Sequence, residues 1–328
     1  MKNKEKKIVV FSPYFGKLPI WFNLWLKSCS YNERFTFIVF TDDKYIGDVP
    51  KNVIIKYMKF QKFRAKIQNK FKFEISLETP YKLCDYKPIY GYVFDEYLNN
   101  ALYWGYCDMD LIFGDLNKFL PDTDYDKISF LGHFCLYKNT KEINTLFMQK
   151  VDNTINYQDV LSNAQHFGFD EIGNYGINNI FKINSKSIYN YEVNVADINC
   201  RTNAMEVVEF KNGNSILHKE KRIFEFNNGK IISHYIDGRF LKEKEYAYIH
   251  FQKRKMLVSE EVNYCSDKYL IVYDGFKIYN NLNKDIVLKY QPKKELFPKT
   301  KLKLLQRSVK NRIKRKITIY RLLNKKEN

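Results

Sequence analysis

The segment Ile8-Val9-Val10-Phe11, running into Ser12-Pro13-Tyr14-Phe15-Gly16, constrains this chain more than any other. A short β-branched run that stops on proline and glycine predicts a buried strand closing in a turn. Residues 19–29 follow with helical character, Phe35-Thr36-Phe37-Ile38-Val39-Phe40 predicts a second strand that stops at Thr41-Asp42-Asp43, and a third is expected over 52–57. Strand, helix, strand at this spacing opens a parallel α/β sheet. Ligand loops in such a sheet lie at the carboxyl ends of the strands. Ser12, Tyr14 and Asp42 fall in two such loops, which makes them nucleotide-contact candidates. Tyr14 would stack on a base and Asp42 would hold base or ribose, the alternative for each being a turn-shaping role.

Downstream, residues 86–99 read as a helix started by Asp85 and Pro88, with Tyr90, Val93, Phe94 and Tyr97 at helical spacing. An aromatic strand is expected over 101–107, another strand over 127–131, and a mixed helical and loop region over 141–183. The pattern then changes to short strands with turn signals at Asn212-Gly213, Asn228-Gly229 and Asp237-Gly238, which predict hairpins. A last strand, 246–251, carries His250.

At 328 residues, 45% hydrophobic and 17% aromatic, with only 13 Gly and 8 Pro, the chain has enough apolar surface for a large core. The six cysteines form no CxxC pair. Residues 1–7 are charged and lead into an apolar stretch far shorter than a signal sequence or membrane span. A reducing cytoplasm is the expected location. The net charge of +18 is concentrated: residues 293–328 hold 14 Lys/Arg and two acids, leaving +6 on the preceding 292 residues. Within that tail, Leu302, Leu305, Val309, Ile313, Ile317 and Tyr320 recur every three or four residues, as in an amphipathic cationic helix. The division expected is a catalytic domain over 1–292 and a basic tail over 293–328.

The segment richest in chemistry is Tyr106-Cys107-Asp108-Met109-Asp110-Leu111-Ile112-Phe113-Gly114-Asp115. Two carboxylates at i and i+2, placed where one apolar strand stops and another apolar run begins, can converge on a hard divalent cation such as Mn²⁺ or Mg²⁺. An ion held there would bridge phosphate oxygens and offset charge on a departing nucleotide diphosphate. The bland alternative is an Asp-rich turn.

This wording resembles the GT-A glycosyltransferases, whose nucleotide-diphospho-sugar fold is a Rossmann-like mixed α/β sheet with a DxD at the end of a central strand. It looks most like the glycogenin and lipopolysaccharide galactosyltransferase group, and like bacterial capsular or surface polysaccharide biosynthesis proteins. The resemblance spans about residues 8–256 and rests on a few short blocks. It implies that Asp108 and Asp110 are the DxD and that His250 completes the metal site. In that fold a late histidine stands in a His-Phe block followed by Gly and a Lys-Pro-Trp. Here His250-Phe251-Gln252-Lys253-Arg254-Lys255 opens alike and departs afterwards, so the phosphate-contacting lysine is either Lys253 or Lys255. A strand histidine satisfied by hydrogen bonds is the alternative for His250.

Further candidates follow from position. Lys87 is placed to meet a donor phosphate or sugar at a helix start, and Asp85 a donor-sugar hydroxyl, against an N-cap Asp and a solvated Lys. Asp170 and Glu171, in the glycine-containing loop His166-Phe167-Gly168-Phe169-Asp170-Glu171, are the acids by sequence order for acceptor activation or sugar-charge stabilisation. A helix cap is the alternative for Asp170. His133 either lines an acceptor pocket or is a buried structural histidine. The tail, over 299–324, fits an anionic membrane surface, as suits a lipid-linked oligosaccharide acceptor and a peripheral position on the inner face of the cell membrane. No nucleic-acid module is present. The rival readings are a nucleotidyltransferase, which lacks a Gly-rich phosphate loop here, and a non-catalytic nucleic-acid or membrane-binding protein with an incidental DxD.

Overall fold

Strand β1 (Lys7–Pro13) sends Val9 and Phe11 to one face of a sheet and Ile8 and Val10 to the other, and all four are buried. The computed structural model describes residues 7–211, 214–252, 254–293 and 298–327. In it β2 (Phe35–Thr41), β3 (Val53–Tyr57) and β4 (Ala101–Cys107) run parallel to β1 in the order β3-β2-β1-β4. Burial on both faces is what parallel strands with covered faces require. The helix Phe22–Ser30 returns the chain from β1 to β2 and buries Leu24, Trp25, Leu26 and Cys29.

Next come β5 (Leu111–Phe113), β6 (Lys127–Ile128), β7 (Phe134–Lys138) and β8 (Ile188–Tyr189). Antiparallel pairing of β7 with β4 extends the sheet to seven strands, β3-β2-β1-β4-β7-β6-β8. The remaining strands are β9 (Val195–Ile198), β10 (Val207–Lys211), β11 (Asn214–His218), β12 (Arg222–Asn227), β13 (Lys230–Asp237), β14 (Phe240–Tyr246), β15 (Tyr248–His250), β16 (Leu257–Val258), β17 (Lys268–Val272) and β18 (Gly275–Lys277). They form a five-stranded sheet, β11-β10-β9-β15-β5, and a six-stranded sheet, β14-β13-β12-β17-β18-β16. The fold is therefore mixed α/β in front and β-rich behind. Asn228-Gly229 and Asp237-Gly238 close the hairpins β12–β13 and β13–β14, whereas Asn212-Gly213 lies outside the described residues.

One expectation is corrected. Residues 86–99 do not form one helix: the chain runs as a 3-10 segment Pro80–Ile89, one α-turn Tyr90–Val93 and a short 3-10 turn Asp95–Tyr97. Pro88 sits inside the first segment instead of opening a helix. Gly91 lies so close to β4 that an added Cβ would meet the Trp104 indole at 2.1 Å. Packing of the backbone against that ring takes precedence over helical spacing. Three smaller differences concern boundaries. The first helix starts at Phe22, the strand expected over 127–131 covers only Lys127–Ile128, and the one over 246–251 is split between β14 and β15.

On the six-stranded sheet, buried Glu225 is hydrogen-bonded by His234 Nε2 at 2.8 Å and by the Tyr279 hydroxyl. Burial works to raise its pKa, but the His234 and Tyr279 hydrogen bonds outweigh it and hold the carboxyl below its usual range. A depressed carboxyl stabilises the fold above its unfolded pKa, and that contribution disappears as the pH falls through the folded value. Urea unfolding followed from about pH 6 to about pH 3 should show a shallower stability loss for Glu225→Gln than for the wild type.

Candidate active site

The site forms where two sheets meet. β4 ends at Cys107, and the Asp108-Met109-Asp110 turn carries the chain into β5. β15 pairs with β5 on one side and β9 on the other, placing His250 opposite Leu111 and opposite Asp197. The turn is held from outside by the Trp21 indole N–H, which donates to the Met109 carbonyl at 2.9 Å. It is held from inside by the Phe251 N–H, which donates to the Asp110 carbonyl at 3.1 Å.

These pairings bring one donor atom each from Asp108, Asp110 and His250 within 4.8 Å of one another. His250 Nδ1 donates to Asp197 Oδ1 at 2.7 Å, and its Nε2 faces Asp110 Oδ1 at 3.5 Å. Asp197 also accepts from Gln252 Nε2 at 2.8 Å, a reach made by a non-glycine residue at φ 51°. Burial disfavours charge on His250, yet Asp110 and Asp197 together outweigh it and push the imidazole up to about 10. Burial works against charge on Asp110 too, but the His250 charge outweighs it and holds that carboxyl below its ordinary value. Burial, and secondarily the His250 charge, lower His133 to about 3. The two imidazole ring centres lie 4.1 Å apart. His133 Nδ1 meets the Tyr248 hydroxyl at 3.1 Å, while its buried Nε2 has no hydrogen-bond partner among the described residues. His133 thus lies within the Asp197–His250 cluster.

Lys87 ties the acid turn to the 166–171 loop. Its ammonium sits 2.6 Å from Asp108 Oδ1, 3.8 Å from Asp170 Oδ2, and donates to the Gly132 carbonyl at 2.6 Å. Burial raises Asp108 and Asp170, with Lys87 opposing in both cases. Gly132 permits this crowding, because a Cβ there would lie 2.3 Å from Asp170 Oδ2. Its N–H donates to Glu171 Oε1 at 2.5 Å. Beside that carboxylate, an open groove is lined by Glu171, Asn174, Asn178, Asn179, Lys182 and Lys186.

Other expected contacts are placed as follows. Asp85 spends its acceptor capacity on the protein: Lys82 Nζ at 2.7 Å, and the backbone N–H groups of Phe167, Gly168 and Phe169 at 2.9, 2.7 and 2.9 Å. It shapes the loop carrying Asp170 instead of facing a pocket. Ser12 Oγ donates to the Cys107 carbonyl at 3.0 Å. Asp42 is exposed and accepts from the Gly16 N–H at 2.7 Å, closing the Tyr14 loop. Tyr14 is half-buried, its hydroxyl pKa raised by burial and then by Asp110, which puts it on the acid-turn side. Lys255 is exposed, and Lys253 lies outside the described residues. Between them Arg254 turns inward and donates to the carbonyls of Asn199, Thr202, Asn203 and Ala204.

Asp197, Tyr248 and Gln252 are additions that sequence reasoning did not single out. The one available signal was a carboxylate inside the apolar run Val195-Ala196-Asp197-Ile198, all four residues of which are buried. A buried acid in a strand demands a partner.

Fold and site together define a mixed α/β chain with an acid-and-imidazole cluster at a junction of strand ends. A family model described as "Family of unknown function (DUF6625)" matches residues 10–280, and the chain belongs to that family. No curated protein matches it. Among solved structures, the chain is similar to the glycosyltransferase GlyE of Streptococcus pneumoniae TIGR4, with 15% identity and a TM-score of 0.23. That match covers 47% of this chain and 42% of GlyE, so the chain spans less than half the length of that protein.

Proposed function

We propose that this chain is a metal-assisted glycosyltransferase of the GT-A kind, moving a sugar from a nucleotide-diphosphate donor to a glycan or lipid-linked oligosaccharide acceptor. The observation that carries the reading is the convergence of Asp108, Asp110 and His250 donor atoms within 4.8 Å. The donor set suits Mn²⁺ or Mg²⁺, two carboxylates and one imidazole leaving positions for diphosphate oxygens. The openness of the cluster suits it too, since the Asp108 and Asp110 side chains keep 36% and 29% exposure while His250 keeps 11%. When bound, such an ion offsets the negative charge gathering on the departing diphosphate.

The chain's own residues supply orientation and proton handling. Asp197 fixes the His250 ring by holding Nδ1, so that Nε2 is the nitrogen turned toward Asp110. Lys87 brings a fixed positive charge to the edge of the acid turn, where donor phosphates meet the protein. Lys255 and Lys253 add charge after the His-Phe block, and Tyr14, half-buried in the loop after β1, offers a ring for the base. On the acceptor side, burial raises the proton affinity of Asp170, which suits a carboxylate that accepts a proton from an attacking hydroxyl. Glu171 stands next to it over the open groove.

The test is release of nucleotide diphosphate from UDP- and GDP-linked sugars, with Mn²⁺ present and with the metal chelated. Metal-dependent release from one donor class, abolished by Asp110→Asn, is expected. A folded wild-type protein that releases nothing from any donor contradicts the proposal.

A further inference from the structure

The helix Pro298–Glu327 carries twelve Lys and Arg against the single acid Glu327. It has two faces with different fates. Arg315 donates to the Phe167 carbonyl at 3.2 Å, and Ile319, Leu322 and Leu323 pack against the core on the Asp85–Phe169 side of the main sheet. Leu302, Leu305, Val309, Ile313, Ile317 and Tyr320 form a separate stripe, each between 46% and 67% exposed. Six large apolar side chains in one exposed row are more than a scattered surface hydrophobe.

We infer that this stripe is a docking surface for an anionic lipid bilayer. Helical spacing places Lys303, Lys310, Lys314 and Arg321 along one margin of the stripe and Arg312 and Lys316 along the other. An apolar row between two cationic margins matches a helix lying in a membrane interface, with its row in the acyl boundary and its cations at anionic head groups. A second copy of this helix is excluded as the occupant by charge, since two such surfaces repel. Nucleic acid would satisfy the cations and leave the apolar row in water. No helix among the described residues is long and apolar enough to cross a membrane, so the contact is along the surface.

Arg315 makes the placement matter for chemistry. It joins this helix to the backbone of the 166–171 loop, so a bilayer under the stripe lies on the side of the molecule that carries Asp170 and Glu171. An acceptor anchored in that bilayer would approach the site from the loop side. This last step rests on the glycosyl-transfer reading, whereas the lipid contact stands without it.

The test is flotation of the full chain with vesicles of phosphatidylcholine alone and of phosphatidylcholine with about one-third phosphatidylglycerol. Binding to the anionic vesicles only is expected. Replacing Leu305, Val309 and Ile313 together by glutamine, at unchanged net charge, should weaken it about tenfold or more. Replacing Lys310, Lys314 and Lys316 by glutamine should weaken it about 100-fold. Equal binding to both vesicle types, or no vesicle binding beside duplex-DNA binding that survives the stripe substitutions, overturns the inference. Metal-dependent nucleotide binding by the stripe variant separates the two readings. If it persists while flotation fails in the wild type, only the lipid contact is wrong; if flotation holds and no nucleotide binds, only the transfer reading is wrong.

Discussion

Asp85→Ala should be among the most destabilising single substitutions in this chain, by about 3–5 kcal/mol, the usual cost of breaking a buried ion pair from one side. Asp85 is fully buried and accepts from four donors, three of them successive backbone N–H groups of the 167–169 segment. Removing it strands those N–H groups and leaves the Lys82 ammonium, 4% exposed, with the Val160 and Gln165 carbonyls and the Phe167 ring but no carboxylate partner among the described residues. The three orphaned backbone donors push the loss toward the upper end of that range, since water cannot reach them. The loss reaches the site because the same segment delivers Asp170 to Lys87. The double variant Lys82→Met with Asp85→Ala should recover part of the stability, since it no longer buries an unpaired charge. Urea unfolding of the three proteins checks this, and an Asp85→Ala midpoint equal to wild type contradicts the role assigned to the carboxylate.

The second large effect concerns His250 and the residue behind it. His250→Ala should abolish metal-dependent nucleotide binding, while Asp197→Asn should weaken metal affinity by about 10–100-fold, as loss of a ligand-orienting carboxylate does. The split identifies Asp197 as a positioning residue: its variant keeps His250 and both acids, and saturating metal should restore nucleotide affinity. Titration of Mn²⁺ followed by nucleotide distinguishes the two. Equal and irreversible losses in both variants contradict the distinction.

The parallel front of the fold was legible because β1 and β2 are short β-branched or aromatic runs closed by Pro, Gly and Asp, and because burial on both faces leaves no polar alternation to confuse them. Residues 86–99 misled because aromatic residues at helical spacing also fit a chain folded in short turns around Trp104. Asp108 and Asp110 were accessible as an acid pair in the turn between two apolar runs, and His250 joined them through the resemblance to the GT-A fold. Asp197 was not, because its meaning depends on the register of β9 against β15, a pairing that local spacing does not encode. The partners of Lys87 were hidden for the same reason: Gly132 and Asp170 are 45 and 83 residues away in the chain. Local pattern reveals strand ends and turns; which strand ends meet is decided by long-range packing.

The central claim is that this cluster binds a divalent metal and, through it, a nucleotide diphosphate. Calorimetric titration of UDP and of GDP into the wild-type protein, with Mn²⁺ and after chelation, tests it most directly. Binding of one nucleotide only when Mn²⁺ is present, lost in Asp110→Asn and in His250→Ala proteins that remain folded, is the predicted result. Equal nucleotide affinity with and without metal, or no binding of either nucleotide by the folded wild type, contradicts it.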